Sequence, residues 1–280
     1  MRNFVVRDLL RLYRMRDWLH FLPLPLAAFD VKAPLAGAVL AAARGLAIAF
    51  ALLAFGYLLN SIYDKQLDRD PRKNPLIVHG AADPRYSLAA LLGVSLLLAA
   101  FAPWPAQLAT GLCLVFYVVY SAGPRLKSLP VVGSVVNVGL FTPLLFVGMY
   151  DTSLPSHFVN VCVVCAALVL ETQLIHEAAD QTEDRAGGVR TTWLTLGPLW
   201  TAGLAALSGL TAAVAAAGLV PAAGSRIVAA VVAAIFGLLF PALLAWGGGE
   251  TARAARLRQV HRWCGVLLGA GLFSAWRWGT

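Results

Sequence analysis

The chain has 280 residues, of which 59% are apolar and only 13% are charged, yet its formal net charge is +8. A soluble domain carries about 25% charged residues, so this composition excludes an ordinary soluble enzyme. The apolar content also excludes intrinsic disorder, and four cysteines in so long a chain exclude a disulfide-stapled secreted scaffold. The composition therefore indicates an integral membrane protein whose few charges are localised.

Apolar stretches long enough to cross a bilayer as helices recur along the whole sequence. The first of them is the weakest, because Pro23 and Pro25 interrupt it. We predict spans near 17–32, 43–62, 87–103, 105–121, 131–150, 155–175, 197–219, 226–246 and 261–279. The predicted fold is all-α, a polytopic membrane bundle of about nine transmembrane helices that forms a single domain over residues 1–280.

Basic residues gather on one face of this predicted arrangement. The N-terminus and the loops after spans 2, 4, 6 and 8 share that face and hold most of the 22 Lys and Arg residues. The positive-inside rule places them in the cytoplasm, in a bacterial-type inner membrane. The segment 253–262 is expected to lie on anionic lipid headgroups. The lipid bilayer is thus an expected partner and nucleic acid is not, while the oligomeric state is left open.

Acidic residues are concentrated in two short stretches, which hold more than half of the 14. Each stretch repeats a polar residue at every fourth position, and on a helix that spacing stacks the side chains on one face. The first ladder is Asn60, Asp64 and Asp68, and the second is His176, Asp180 and Asp184. One such ladder is equally well explained as a solvated helix end. Two ladders four spans apart favour a functional site and suggest two pseudo-repeated four-helix units.

Oxygen-rich ladders of this kind suit Mg²⁺, which is usually held by one or two carboxylates together with substrate phosphates. Two ladders facing each other would bind a diphosphate through bridging ions. Cationic side chains that can meet the remaining phosphate charge follow each ladder. These are Arg72 and Lys73 after the first ladder, and Arg185 and Arg190 after the second.

At these residues the sequence resembles the UbiA superfamily of intramembrane prenyltransferases. The first ladder matches the family pattern N-x-x-x-D-x-x-x-D, and the second matches D-x-x-x-D at Asp180 and Asp184. The segment from Tyr120 to Lys127 is similar to the family's loop after span 4, which usually carries a basic residue. The segment from Arg14 to Trp18 is similar to the family's Arg-Pro-x-x-Trp entry to the first helix, with methionine in place of the proline. The resemblance covers nearly the whole chain.

The resemblance implies Mg²⁺-dependent transfer of an isoprenoid chain from a prenyl diphosphate donor to a lipophilic, by default aromatic, acceptor. The allylic C–O bond would ionise, diphosphate would leave, and the acceptor would trap the carbocation. Water has to be excluded from such a cation, so the segments 63–86 and 177–192 are candidates for a lid.

Roles for individual residues follow from the ladders and the resemblance. The expected metal ligands are Asn60, Asp64, Asp68, Asp180 and Asp184. The expected diphosphate contacts are Arg72, Lys127 and Arg190, with Lys73, Arg125 and Arg14 behind them. Carboxylates that could replace one of the chosen ligands are Asp70, Glu177 and Glu183. His176 is expected to accept a proton from the acceptor or orient it, or else to be a hydrogen-bonded histidine at a helix end.

Glu171 lies deeper in span 6, where an ionisable group is costly. It would bind the acceptor, stabilise the cation, or pair with a neighbouring helix; Asn137 is a weaker case of the same kind.

Two other functions remain open at this point. A terpene cyclase of the same superfamily would trap the cation within the donor itself. A membrane transporter is the alternative from another class, although its binding site would normally lie near the bilayer midplane.

Overall fold

The computed structural model of the chain describes residues 13–29, 32–65, 74, 76, 83–154 and 158–278. Regular structure in these ranges is helical throughout, with no strand, which confirms the all-α prediction. Within the same ranges, five segments are long and apolar enough to cross a membrane. They are Leu35–Asp64, Trp104–Ser121, Phe158–Ala186, Thr192–Ala217 and Ala222–Gly247. The count of nine spans and the two four-helix repeats stay predictions.

The chain forms two compact units. The first unit contains Met1–Arg125 and Pro143–Ser153, and the second contains Leu126–Thr142 and Leu154–Thr280. Each unit therefore holds one of the two ladders. The single-domain prediction for residues 1–280 stays a prediction.

The first unit begins with short helical turns where the sequence predicted one continuous span over 17–32. Helix α1 (Met15–Trp18) is followed by 3-10 turns at Leu19–Phe21 and Leu24–Ala28. Pro23 and Pro25 lie in or beside the second turn, and a proline cannot donate the backbone hydrogen bond that a continuing α-helix needs. The prolines that weakened the prediction thus explain the break.

Three long helices complete the first unit: α2 (Leu35–Asp64), α3 (Pro84–Ala100) and α4 (Trp104–Ser121). Helix α2 packs against both α3 and α4 and is buried along most of its length. Small residues allow this, since a Cβ at Gly56 would lie 2.1 Å from the ring of Tyr117. At the other end of α2, Arg44 donates to the carbonyl oxygens of Phe101 at 3.1 Å and Met149 at 2.7 Å.

The second unit contains the remaining helices, of which α7 is central. They are α5 (Val132–Phe141), α6 (Phe158–Ala186), α7 (Thr192–Ala217), α8 (Ala222–Val232), α9 (Phe240–Gly247) and α10 (Thr251–Trp278). Helix α7 packs against α6, α8 and α9, while α10 packs against α6. A π-helical segment, Ala233–Leu239, joins α8 to α9 without a break. Gly197, with a φ of 75°, interrupts α7 before Pro198, a residue that cannot continue a preceding helix.

Several predicted spans differ in length from the observed helices, and two of these differences bear on the candidate site. The predicted span 131–150 is shorter in the structure, because α5 passes into a 3-10 turn at Thr142–Leu145. The predicted span 155–175 is longer, since α6 runs on to Ala186 and includes the whole second ladder. The four-residue spacing therefore does place His176, Asp180 and Asp184 on one helix.

Replacing Gly209 by alanine is expected to destabilise the second unit by about 1–3 kcal/mol. An added Cβ would lie 2.1 Å from the carbonyl oxygen of Phe236, a backbone atom that can move only with the π-helical segment. Gly203→Ala on the same helix is the matched control, because nothing lies within 4 Å of a Cβ there. Thermal unfolding of the purified variants in detergent measures the difference, and equal midpoints would contradict the packing described.

Candidate active site

The described part of the first ladder lies at the end of α2 and is contacted by residues at and just after the end of α4. Asp64, only 8% exposed, accepts a hydrogen bond at 3.0 Å from Nη2 of Arg125. Ser121 Oγ donates to the side-chain oxygen of Asn60 at 3.2 Å. The backbone of Arg125 has a φ of 50°, a conformation costly for a residue with a Cβ. A polar amide, a carboxylate and a guanidinium thus lie near one another at this end of α2. The predicted roles of Asn60 and Asp64 as metal ligands and of Arg125 as a diphosphate contact stay predictions.

Several predicted residues of the first unit lie outside the described residues. They are Asp68, Asp70, Arg72 and Lys73. Beyond them, the fully buried Asn74 donates from Nδ2 to the backbone oxygen of Ser61 at 2.8 Å. Its side-chain oxygen accepts from the backbone N–H of Leu76 at 3.2 Å. Asn74 therefore fixes the chain beside the ladder, a role that its position in a polar loop did not signal.

Arg14 lies beside the same end of α2. Its Nε pairs with Asp17 at 2.9 Å, and its guanidinium carbon lies 5.6 Å from the ring centroid of Tyr57. Tyr57 precedes Asn60 by three residues, so the two share a helix face. This position is compatible with the predicted contact between Arg14 and a diphosphate, which stays a prediction.

The second ladder is contacted by an arginine that the sequence analysis did not select. Nη1 of Arg258, on α10, donates to Nδ1 of His176 and lies 3.7 Å from Oδ1 of Asp180. Nε2 of His176 lies 3.5 Å from Oδ2 of Asp180. Because a guanidinium only donates, Nδ1 must accept, so the ring proton is on Nε2 and faces the carboxylate. The expectation that segment 253–262 simply lies on lipid headgroups is thus wrong for Arg258.

A signal for Arg258 was present in the sequence. The proposed repeat makes the loop after span 8 equivalent to the loop after span 4, which carries Arg125. Arg258 also precedes His261 by three residues, so both project from one face of α10, and both contact α6.

The remaining predicted residues of the second unit lie near the end of α6 and in two connections. Asp184 is half-buried in the last turn of α6, which ends as Val189 donates its N–H to the Asp184 carbonyl at 2.9 Å. Arg190 is exposed in the connection to α7, and Lys127 is half-buried in a 3-10 turn, Leu126–Ser128. The expectation of a loop over 177–192 is wrong for 177–186, because these residues belong to α6.

Glu177, which was considered as a replacement metal ligand, is 5% exposed and has three hydrogen-bond donors. Ser134 Oγ donates at 2.6 Å, Gln173 Nε2 at 3.2 Å and the backbone N–H of Trp193 at 3.1 Å. A carboxylate satisfied in this way anchors α6 to α5 and to the first turn of α7. It therefore fixes the connection that carries Arg190.

Glu171 pairs with a neighbouring helix, one of the three roles considered for it. Its carboxyl lies 3.2 Å from Nε2 of His261, and the two residues are 0% and 1% exposed. The other ring nitrogen of His261 lies 3.0 Å from Thr172 Oγ1. The rings of Phe236 and Phe240 meet the imidazole edge to face, with centroids 5.2 and 4.8 Å away. The carboxyl and the imidazole thus meet between α6 and α10 in an apolar surrounding, although Nε2 of His261 and the two carboxyl oxygens make no hydrogen bond. Asn137 is likewise buried, on α5.

The oxygen donors of the described ladder residues are of the type that Mg²⁺ prefers. Within the described ranges, no three His, Cys, Asp or Glu side chains form a complete metal site by themselves. Mg²⁺ needs fewer protein ligands, since waters and substrate phosphates fill its other positions. The cation preference of these carboxylates is visible in the structure, where a guanidinium lies against Asp64 and another against Asp180.

The UbiA prenyltransferase family matches residues 22–264, so the chain belongs to that family. The family and the long apolar helices together identify an integral membrane protein. Comparison with curated protein sequences gives no match.

Solved structures share the fold over nearly the full length of both chains. A UbiA homologue from Archaeoglobus fulgidus bound to GPP and Mg²⁺ has a TM-score of 0.70 at 20% identity, covering 95% of this chain and 99% of its own. A structure of digeranylgeranylglyceryl phosphate synthase has a TM-score of 0.72 at 15% identity, with 97% and 98% covered. An apo UbiA homologue from Aeropyrum pernix K1 has a TM-score of 0.63 at 19% identity, with 96% and 98% covered.

Replacing Glu177 by alanine is expected to loosen the connection between α6 and α7. Three donors lose their acceptor, at a cost of about 1–3 kcal/mol, so trypsin should cleave after Arg185 and Arg190 at least about fivefold faster. Glu177→Gln keeps an acceptor oxygen, so its rate of cleavage should be closer to that of the original chain. Timed proteolysis with mass spectrometry of the fragments measures this, and an unchanged cleavage rate in the alanine variant would refute the anchor.

Removing one member of the buried pair is expected to cost about 1–3 kcal/mol, because the other polar group stays in an apolar surrounding without its neighbour. Glu171→Leu and His261→Phe should each show this loss, whereas the double variant should lose clearly less than the sum. The unfolding free energies of the original chain, the two single variants and the double variant, measured in mixed micelles, give the double-mutant cycle. Additivity within about 0.5 kcal/mol would mean that the two side chains do not interact.

Proposed function

We propose that this chain is a Mg²⁺-dependent prenyltransferase that moves an isoprenoid chain from a prenyl diphosphate to a lipophilic acceptor, by default an aromatic one. The observation that carries the proposal is that each ladder has a carboxylate paired with an arginine from a later part of the chain, Asp64 with Arg125 and Asp180 with Arg258. Membership of a prenyltransferase family supports it. So do the homologues of the same fold that bind GPP or DMAPP with Mg²⁺.

In this proposal both ladders serve the same reaction. The metal ligands are Asn60, Asp64, Asp68, Asp180 and Asp184. The diphosphate contacts are Arg14, Arg72, Lys73, Arg125, Lys127 and Arg190. Bound Mg²⁺ supplies electrostatic stabilisation of the diphosphate as it leaves.

The residues of the chain perform the remaining tasks. The carboxylates and Asn60 would hold Mg²⁺. The cationic side chains meet the charge that grows on the departing oxygens. The apolar helices receive the isoprenoid tail and keep water from the allylic cation. His176 is proposed to orient the acceptor or take its proton, which requires Nδ1 to exchange its present donor, Arg258.

The membrane orientation belongs to the same proposal. Most of the 22 Lys and Arg residues fall on the face that carries both ladders in the predicted arrangement. We place that face, with the N-terminus, in the cytoplasm, and the chain in a bacterial-type inner membrane. A water-soluble diphosphate product would then be released into the cytoplasm.

The deciding experiment supplies the purified protein with prenyl diphosphates of several lengths, a panel of acceptors and Mg²⁺, and follows diphosphate release and product mass. Asp64→Asn and Asp180→Asn are each expected to lower the rate by about 10²–10³-fold, because each removes a carboxylate that is proposed to hold Mg²⁺. Chelation of the metal should abolish release.

Asp151→Asn is the matched control. Asp151 is exposed and only caps a turn by accepting from the N–H of Ser153 at 2.8 Å, which an asparagine can also do. Full activity of both ladder variants would contradict the proposed function. Product formed without added acceptor would indicate a cyclase, and substrate flux into liposomes without chemistry would indicate a transporter.

A further inference from the structure

Arg258 lies within the second ladder although it belongs to a different helix. Its Nη1 donates to Nδ1 of His176 and lies 3.7 Å from Oδ1 of Asp180. The side chain is only 24% exposed, and that of Asp180 only 20%. A guanidinium in this position is a built part of the ladder, held by two polar partners and partly screened from water.

The electrostatics of the ladder require a cation at this place. Asp180 and Asp184 are one helical turn apart, so two half-buried carboxylates share a helix face. Such like charges destabilise a helix unless a positive charge lies between or beside them. Arg258 supplies that charge from α10, and an arginine cannot discharge itself by losing a proton.

The first ladder has the same arrangement on a different backbone. Arg125 contacts Asp64 at 3.0 Å, and its own backbone, in the connection after α4, has a φ of 50°. Arg258, by contrast, lies within the regular helix α10. Both arginines lie near a connection that follows the ladder by two predicted spans. Two unrelated local structures therefore deliver the same group to the same kind of carboxylate.

Helix α10 is fixed close to Arg258. His261, one turn further on, is held against Glu171 and Thr172 of α6. The backbone that carries Arg258 is thereby anchored, and only its long side chain is left to move. A flexible side chain on a fixed base can exchange one anion for another without rearranging helices.

We propose that Arg258 acts as a positioning residue with two alternating partners. Without a divalent cation its guanidinium neutralises Asp180. When Mg²⁺ and a diphosphate group bind, the metal takes over Asp180 and the guanidinium turns to the phosphate oxygens, for which its fork of donors is suited. This inference rests on the proposed function and adds a diphosphate contact to it.

The test measures ligand binding without turnover. Mn²⁺ replaces Mg²⁺ as the probe, and EPR measures two affinities of the full-length protein. The first is the affinity for Mn²⁺ alone, and the second is the affinity for inorganic diphosphate at saturating Mn²⁺. Arg258→Met removes the competing cation, so Mn²⁺ alone should bind about three- to tenfold more tightly. The same variant should bind inorganic diphosphate at least about tenfold more weakly, because a charge-assisted hydrogen bond is lost.

Two further variants make the result specific. Arg256→Met removes an exposed charge from the same helix and should change neither affinity. Arg258→Lys keeps the charge but not the fork, so Mn²⁺ binding should stay close to that of the original chain while diphosphate binding falls. Because Arg258→Met also removes a contact between α10 and α6, thermal unfolding of each variant accompanies the titrations. Where the methionine variant is unfolded, the two affinities of the lysine variant are the test.

Opposite shifts of the two affinities in Arg258→Met support the inference, because a purely structural role would weaken both together. Weaker or unchanged Mn²⁺ binding, or unchanged diphosphate binding, overturns it. If the original chain binds no Mn²⁺ at all, the proposed metal site itself fails and the inference falls with it. The two failures are thus distinguishable.

Discussion

The structure depends on the polar partners that four acidic side chains of the described helices find among apolar neighbours. Charge is scarce in the chain, and a carboxylate removed from water is costly unless it is paired or hydrogen-bonded. The structure satisfies this condition in three ways. Asp64 and Asp180 have arginines, Glu171 has an imidazole, and Glu177 has three neutral donors.

These four carboxylates fall into two groups, which differ in burial and in position along their helices. Glu171 and Glu177 are almost fully buried, and their partners link α6 to α10, α5 and α7. Asp64 and Asp180 lie near helix ends, where their arginines are partly exposed and can be exchanged. The same helix α6 thus carries inward acids that hold the second unit together and, nearer its end, carboxylates that are proposed to hold a metal ion. A bound metal ion would replace a guanidinium that already lies against Asp180.

The sequence predicted most of the helices and the described members of both ladders, because apolar length and four-residue spacing are local properties. The sequence-based prediction failed where the contact partner of a side chain comes from a distant part of the chain. The partners of Glu171 and Glu177 come from other helices, and nothing in the segment around Arg258 distinguishes a ladder contact from a lipid contact. The broken first span is different, since Pro23 and Pro25 already weakened its prediction. Asn74 gave no signal because its role depends on which backbone atom lies beside it.

Helix α2 contains a long uncharged stretch between two held side chains. Arg44, bound to two carbonyl oxygens, and Asp64, bound to Arg125, are 20 residues apart with no charged residue between them. At the rise of an α-helix this separation is about 30 Å, the thickness of the hydrocarbon core of an ordinary bilayer. This stretch of α2 is therefore long enough to cross such a membrane. In a thinner or thicker bilayer the helix would have to tilt or the lipid would have to deform around it, so hydrophobic mismatch would act directly on the position of the first ladder.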